Sequence, residues 1–384
     1  MGDGEHRHFS GGAFGRELFG EKHQKIGPQP KGGGGMSLYV KIQKQLERFF
    51  LNVEFETENE VLGLLGASGC GKSMTLKCIA GIEKPDRGQI ILNGRTLFDS
   101  EKRINLPPQQ RRVGYLFQQY ALFPNMTVEK NIAVGAHAMD KGQRFQAVRD
   151  MMARMQISQL ANKYPSQLSG GQQQRAALGR ILINKPEVLL LDEPFSALDD
   201  YLKWQVELEL ADTLKEFGGT TLFVSHSRDE VFRLCKSVCV LSEGKSEAKR
   251  STQELFHSPD TLSASLLSGC KNYTRIKRLD KTHAQALDWG VILTGREIPE
   301  NATCAGVRSH FIHPTPGENP IPCQVERVVP ELFSTVVMLK TPGGDSGWSR
   351  LRMEMSHEQW ASLHDPNQLT VSIGADDIMF LREN

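Results

Sequence analysis

Residues 61–73 read VLGLLGASGCGKS. The first five form a short, almost wholly apolar run, as expected of a strand buried on both faces of a parallel sheet. The next eight, Gly66, Ala67, Ser68, Gly69, Cys70, Gly71, Lys72 and Ser73, fit G-x-x-x-x-G-K-[ST], and a helical stretch through TLKCIA follows. In such a loop the glycines let backbone N–H groups turn inward around phosphate oxygens. Lys72 adds a cation at the β and γ phosphates, and Ser73 presents a hydroxyl to Mg²⁺. A strand, a glycine loop and a helix in this order predict an α/β fold of the P-loop kind.

Moving towards the C-terminus, residues 188–193 read VLLLDE. An unpaired carboxylate at the end of a buried strand is costly, so the two acids ask for a role. Asp192 is placed to hold Mg²⁺ through water, and Glu193 to orient or deprotonate an attacking water. Taken alone, D-E-P is also a common turn composition, the lesser of the two readings. Between the two elements lies LSGGQQQR at 168–175, opening a helix that continues through ALGRILINK. Ser169 is a natural N-cap, and Gly170 and Gly171 expose helix-terminal N–H groups to an anion; an ordinary capped helix start would look the same.

The flanks supply the rest of the architecture. SLYVKIQKQL and FFLNVEFE alternate as strands, and IILNGRTLF predicts a hairpin because Asn93-Gly94 suits a type I′ turn. TTLFVS adds another buried parallel strand. No strand pattern occurs between about residues 125 and 185, where segments such as GQRFQAVRDMMARMQI carry helical spacing, so a helical insertion is expected. DTLSASLL reads as a last helix, and the boundary is placed near Gly269. Beyond it VILTG, NATCAGVR, PCQVERVV, STVVMLK and LTVSIG, separated by Gly, Pro and Asn, predict a small β-barrel or sandwich domain.

Composition narrows the classes of partner. The 384 residues are 39% hydrophobic, and 46 Lys+Arg against 45 Asp+Glu leave a formal charge of +1. No global field draws the chain to nucleic acid or an anionic membrane. No apolar run reaches the roughly 18 to 20 residues that span a bilayer, and the first residues carry no signal-peptide pattern, so the chain is expected in the cytosol. Seven scattered cysteines without a C-x-x-C pair read as small buried hydrophobes. Residues 1–35, rich in Gly and His, read as a disordered extension, with Met36 as the natural start.

The ordered set GASGCGKS, Gln118 in YLFQQYALFP, LSGGQQQR, VLLLDEP, SALD at 196–199 and His226 in FVSHS resembles the ATP-binding cassette of ABC transporters over roughly residues 36–268. The resemblance implies a RecA-like P-loop domain with a helical subdomain at about 125–185, followed at 269–384 by a small accessory domain of the TOBE/OB-like kind. It implies ATP and Mg²⁺ as cofactors. It also implies a head-to-tail homodimer in which each ATP lies between one phosphate loop and the partner's Ser169, Gly170, Gly171 and Gln172. Gln118 would touch Mg²⁺ and the attacking water, His226 the γ-phosphate, and Asp199 would bridge the paired sites.

Two positions depart from the family pattern. The spacing of the aromatic that family members stack on adenine is irregular here, leaving Phe49, Phe50 or Tyr39, each more readily read as strand core, and Ser227 follows His226 where many relatives have Asp. The family context adds membrane permease subunits, contacted through YALFPNMTVEKNI at 120–132, which is equally readable as core of the insertion, and indirectly an extracytoplasmic solute-binding protein. The expected location is the cytoplasmic face of the membrane. GVRSHFI, PCQVERVV, SGCKN and His226-Ser227 look most like ATPases of molybdate or sulfate uptake, with sugar, polyamine or iron import as the alternative. Arg308 and Lys271 are anion-contact candidates or solvated surface charges. A non-transport ATPase acting on nucleic acid would call for a basic surface that this chain lacks.

Overall fold

The computed structural model describes residues 37–383 apart from Arg48, Ala197, Asp199, Asp345 and Asp365; the N-terminal extension, Met36 and Asp199 lie outside the described residues. Strands β1 (Ser37–Gln45) and β2 (Phe50–Glu58) pair antiparallel and alternate buried with exposed side chains, as a half-buried ribbon should. After β3 (Val61–Leu65) and α1 (Lys72–Ala80) comes the expected hairpin of β4 (Arg87–Leu92) and β5 (Arg95–Asp99). Its turn residues Asn93 and Gly94 have φ of 51° and 75°, the sign that a type I′ turn needs at both positions.

The short β6 (Ile104–Asn105) and then β7 (Val113–Leu116) precede the insertion, which holds α2 (Val128–Gly135), α3 (Lys141–Arg154) and α4 (Gly170–Leu182). The chain returns through β8 (Val188–Asp192), α5 (Asp200–Phe217), β9 (Thr220–Ser225), α6 (Arg228–Leu234) and β10 (Ser237–Ser242). Short strands β11 (Lys245–Ser246) and β12 (Arg250–Ser251) lead into α7 (Thr252–His257) and α8 (Leu262–Leu267).

The five parallel strands run in the order β10-β3-β9-β8-β7, and the antiparallel series β6-β5-β4-β1-β2 joins them through β11. The sheet's two faces bury different residues of the same strands, as the period of two demands. On one face Leu62, Leu64, Leu190 and Leu222 pack with Leu76 and Ile79 of α1. On the other Leu189, Leu191 and Phe223 pack with α4 and α5 through Ala176, Ala177, Val206 and Leu210, and the same core continues into the insertion. Helix α1 is held at its far end as well. The wholly buried Arg111 donates to the carbonyls of Cys78 (2.9 Å) and Ile79 (2.8 Å) in its last turn, adding to the bond that Cys78 accepts from the capping Gly81 N–H.

Beyond α8 the chain forms two five-stranded antiparallel sheets. One has the order β15-β14-β13-β16-β22, from β13 (Asn272–Arg278), β14 (His283–Ala286), β15 (Val291–Thr294), β16 (Cys304–Val307) and β22 (Met379–Leu381). The other has the order β17-β21-β18-β19-β20, from β17 (Ile312–His313), β18 (Ile321–Pro330), β19 (Thr335–Lys340), β20 (Arg350–Met355) and β21 (Gln368–Ile373), with α9 (His357–Ser362) before β21. Trp289, Leu293, Val307, Val337, Leu351 and Ile373 share one core between them, giving the barrel-like domain that the turn-rich pattern predicts.

This β region is tied back to the α/β part. Leu262 N–H donates to the Arg382 carbonyl and Arg382 N–H to the Asp260 carbonyl, both at 3.0 Å. Arg308 is neither an open anion contact nor a solvated charge: its guanidinium is taken up by the Ser268 carbonyl (3.0 Å), the Ser268 hydroxyl (3.3 Å) and the Phe256 carbonyl. Lys271 is exposed. All seven cysteines are buried and free, and no helix among the described residues is long and apolar enough to cross a membrane.

Candidate functional site

In an open parallel sheet, ligands bind beyond the carboxyl ends of the strands. Here the ends of β3, β8 and β9 converge on one set of side chains. From β3 the loop Gly66–Gly71 leads into α1, with Gly69 and Gly71 at φ of 82° and 108°, a backbone that glycine adopts without strain. Gly71 is also crowded, since a β-carbon there would stand 2.5 Å from Leu51 Cδ1. Lys72 is buried and donates through Nζ to the carbonyls of Gly66 (2.7 Å) and Ala67 (2.9 Å), so its ammonium group spans the loop.

Ser73, in the first turn of α1, donates its hydroxyl to Asp192 Oδ1 at 2.8 Å. The other carboxylate oxygen, Oδ2, accepts from the Tyr115 hydroxyl at 2.8 Å. Burial, reinforced by the Asp192 charge, pushes the Tyr115 phenol far above its usual range, so it remains a donor. Next along the chain, Glu193 has φ of 47° and donates its N–H to the Val224 carbonyl of β9 at 3.0 Å. A non-glycine residue held in this region is strained, a condition concentrated at functional sites. Its carboxylate Oε2 lies 3.4 Å from Nδ1 of His226, which follows β9 and is largely exposed.

Ser227, the residue after His226, has a definite task. It is the N-cap of α6 and accepts from Glu230 N–H, while Ser225 Oγ holds the Glu230 carboxylate at 2.5 Å. Gln118 is exposed just beyond β7, in a loop fastened at its far side. Tyr120 donates its hydroxyl to the Pro194 carbonyl (3.0 Å), one residue past Glu193. Arg180 of α4 donates to the carbonyls of Tyr120 (3.0 Å) and Ala121 (2.8 Å) and lies over the Phe123 ring.

At the start of α4, Ser169 Oγ accepts from Gln172 N–H (3.4 Å) while Gln172 Oε1 accepts from Ser169 N–H (3.1 Å), a reciprocal capping box. A β-carbon on Gly171 would stand 2.7 Å from Val206 Cγ2 of α5, so close helix packing requires glycine here. These bonds stay within the turn, and nothing in them joins Ser169 to the phosphate loop of its own chain.

Of the three aromatics proposed for adenine, only Phe49 is brought to the loop: its Cε2 lies 3.4 Å from where a Gly71 β-carbon would stand. Tyr39 is committed to Glu54, 3.1 Å away, and Phe50 is exposed at the edge of β2. The arrangement can cradle a chain of phosphates, and Ser73 and Asp192 offer hard oxygen ligands. One carboxylate and one hydroxyl suit Mg²⁺, which takes few protein ligands and completes its shell with phosphate oxygens and water.

Sequence reasoning missed Tyr115, Tyr120 and Arg180. Tyr115 had a signal: it is the one polar side chain in the strand VGYL. The other two act through backbone carbonyls brought together only by the fold.

Residues 51–196 match the ABC transporter family. The chain is 38% identical over 268 residues to the Fe(3+) ions import ATP-binding protein of Haemophilus influenzae, covering 67% of this chain and 76% of that one. It is 42% identical over 214 residues to the spermidine/putrescine import ATP-binding protein of Nitratidesulfovibrio vulgaris, covering 55% and 56%. To the molybdenum import ATP-binding protein of Rhodospirillum rubrum it is 37% identical over 223 residues, covering 58% and 60%.

Proposed function

The chain belongs to the ABC transporter family, and from that premise we propose that it is the ATP-hydrolysing subunit of an importer, working as a pair of copies on the cytoplasmic face of the membrane. Residues 36–268 form its ATP-binding part and 269–384 its accessory part. The observation that carries the reading is the convergence of Lys72, Ser73, Asp192, Glu193 and His226 beyond the ends of β3, β8 and β9.

ATP binds with its phosphates in the loop Gly66–Gly71, where inward N–H groups and the Lys72 ammonium offset their charge, and the exposed side of Phe49 receives the adenine. Ser73 and Asp192 would hold Mg²⁺, with Gln118 of the loop after β7 as a further ligand, and the cation would supply charge neutralisation for the phosphates. Glu193 takes a proton from the attacking water, and His226, beside it, contacts the γ-phosphate. A second copy presents Ser169, Gly170, Gly171 and Gln172 to the same phosphates, with Asp199 between the two sites. Most of the rate gain is positional and electrostatic.

The relatives carry different cargoes by name, iron(III), spermidine/putrescine and molybdenum among them. We place molybdate or sulfate first, supported by the resemblance of the 306–312 and 322–329 segments to such ATPases; sugar, polyamine or iron import is the alternative. Membrane permease subunits and, through them, a solute-binding protein complete the assembly. The test is ATP hydrolysis by the chain co-purified with its permease in vesicles, with each candidate solute and its binding protein. Stimulation confined to molybdate or sulfate supports the oxyanion reading, stimulation by another solute replaces it, and absence of any Mg²⁺-dependent hydrolysis refutes the ATPase reading.

A further inference from the structure

Asp192 is buried, and both its carboxylate oxygens are engaged: Oδ1 by the Ser73 hydroxyl and Oδ2 by the Tyr115 hydroxyl, each at 2.8 Å. The second bond follows from sheet register. β7 and β8 pair in parallel with Tyr115 opposite Leu190, so Asp192, two residues on, projects from the same face one step diagonally from Tyr115. That face is the one covered by α1, which carries Ser73. Three elements therefore meet at one carboxylate. The Tyr115 ring is itself buttressed by Phe117, with centroids 4.3 Å apart, immediately before Gln118.

The terminal torsion of an aspartate is broad, so a buried carboxylate held by one donor can swing. Two donors on opposite oxygens remove that freedom. Ser73 spends its hydrogen on Oδ1 and keeps its oxygen lone pairs for a cation, while a carboxylate has about four acceptor positions and retains two. Tyr115 touches neither the phosphate loop nor Lys72 by hydrogen bond, so its hydroxyl acts through Asp192. We propose that Tyr115 is a positioning residue that fixes the Asp192 carboxylate in the orientation from which it and Ser73 hold the divalent cation of the bound nucleotide. This rests on the ATPase reading above. Partners that orient metal-binding carboxylates typically contribute 10- to 100-fold to metal affinity.

The test is Tyr115→Phe in the full chain, which keeps the ring against Phe117 and removes one oxygen. ATP binding without divalent cation is measured by equilibrium titration, and Mn²⁺ binding to the protein–ATP complex by the loss of the free-ion electron paramagnetic resonance signal. The expected result is cation-free ATP binding within about twofold of the unmodified chain and Mn²⁺ binding weakened about 10- to 100-fold. In an Asp192→Asn background the same change should add less than about twofold, because the hydroxyl then has no charged partner to orient. Unchanged Mn²⁺ binding in Tyr115→Phe overturns the inference. So does an equal loss of ATP and Mn²⁺ binding, which would mark a packing role, or full additivity with Asp192→Asn. If the unmodified chain fails to bind ATP, the ATPase reading falls first and this inference with it.

Discussion

The Glu193 carboxylate lies 3.4 Å from Nδ1 of His226, joining the residue after β8 to the residue after β9. The two strands are neighbours in the sheet, and the Glu193 N–H bond to the Val224 carbonyl sets the approach. Acid and imidazole thus face each other beyond the carboxyl ends of β8 and β9. Glu193→Gln should lower ATP turnover by about 10² to 10⁴ while ATP binding persists, the range for losing a general base. Single-turnover hydrolysis alongside equilibrium binding checks this; near-normal turnover would remove Glu193 from the role.

Lys72 spans its loop through two carbonyls, so its loss affects loop shape as well as charge. Lys72→Ala should weaken ATP binding at least about tenfold, as hydrogen bonds to charged groups are worth about 1.5–3 kcal/mol. AMP, which lacks the β and γ phosphates, should bind with little change. A titration series of AMP, ADP and ATP reads the contrast.

Gly171 packs where a β-carbon would meet Val206 at 2.7 Å. Gly171→Ala should destabilise the fold by about 1–3 kcal/mol through overpacking. Combining it with Val206→Ala relieves the clash and should recover part of that loss in thermal melts. ATP hydrolysis should stay low in the double variant if the glycine also serves the partner's nucleotide; recovered activity would assign Gly171 to packing alone.

In the β region, Arg275 bonds Asp288 through its guanidinium (2.7 Å) and backbone N–H (2.8 Å), holding the Asp288 carboxyl down at about 2. A carboxyl depressed on folding contributes stability that is full above its unfolded value near 4 and is lost as pH falls towards 2. Melts of the whole chain between pH 5 and 2 should therefore fall less steeply in Asp288→Asn than in the unmodified protein. The variant should be less stable at pH 7, by about 1–3 kcal/mol for the lost charged bonds.

Local patterns revealed much of this architecture. The strand VLGLL with its glycine loop, the Asn93-Gly94 hairpin and the helical insertion each declare themselves by spacing or turn chemistry, and all occur as read. β13, β14 and β20 were harder, because NYTRIKR, HAQA and RLRMEM interleave charges or short side chains with their buried positions. Motif residues could be named by type, but the bonds between them could not. Ser73 and Asp192 stand 119 positions apart, and Tyr115 meets Asp192 only because β7 pairs with β8 in one register. Arg308 reads as a surface charge until the carbonyls of Phe256 and Ser268 are seen around it.

The cap at Ser169 commits only one end of its hydroxyl. Its oxygen accepts from Gln172, which uses a lone pair and leaves the hydroxyl hydrogen uncommitted by that bond. Stiffness of the helix tip therefore draws on the oxygen, and on the proposed reading the partner's phosphates would meet the hydrogen of the same O–H group. An aspartate at this position would cap the helix equally well, but on the proposed ATPase reading it would set a negative charge against the incoming phosphates, where serine offers a neutral donor.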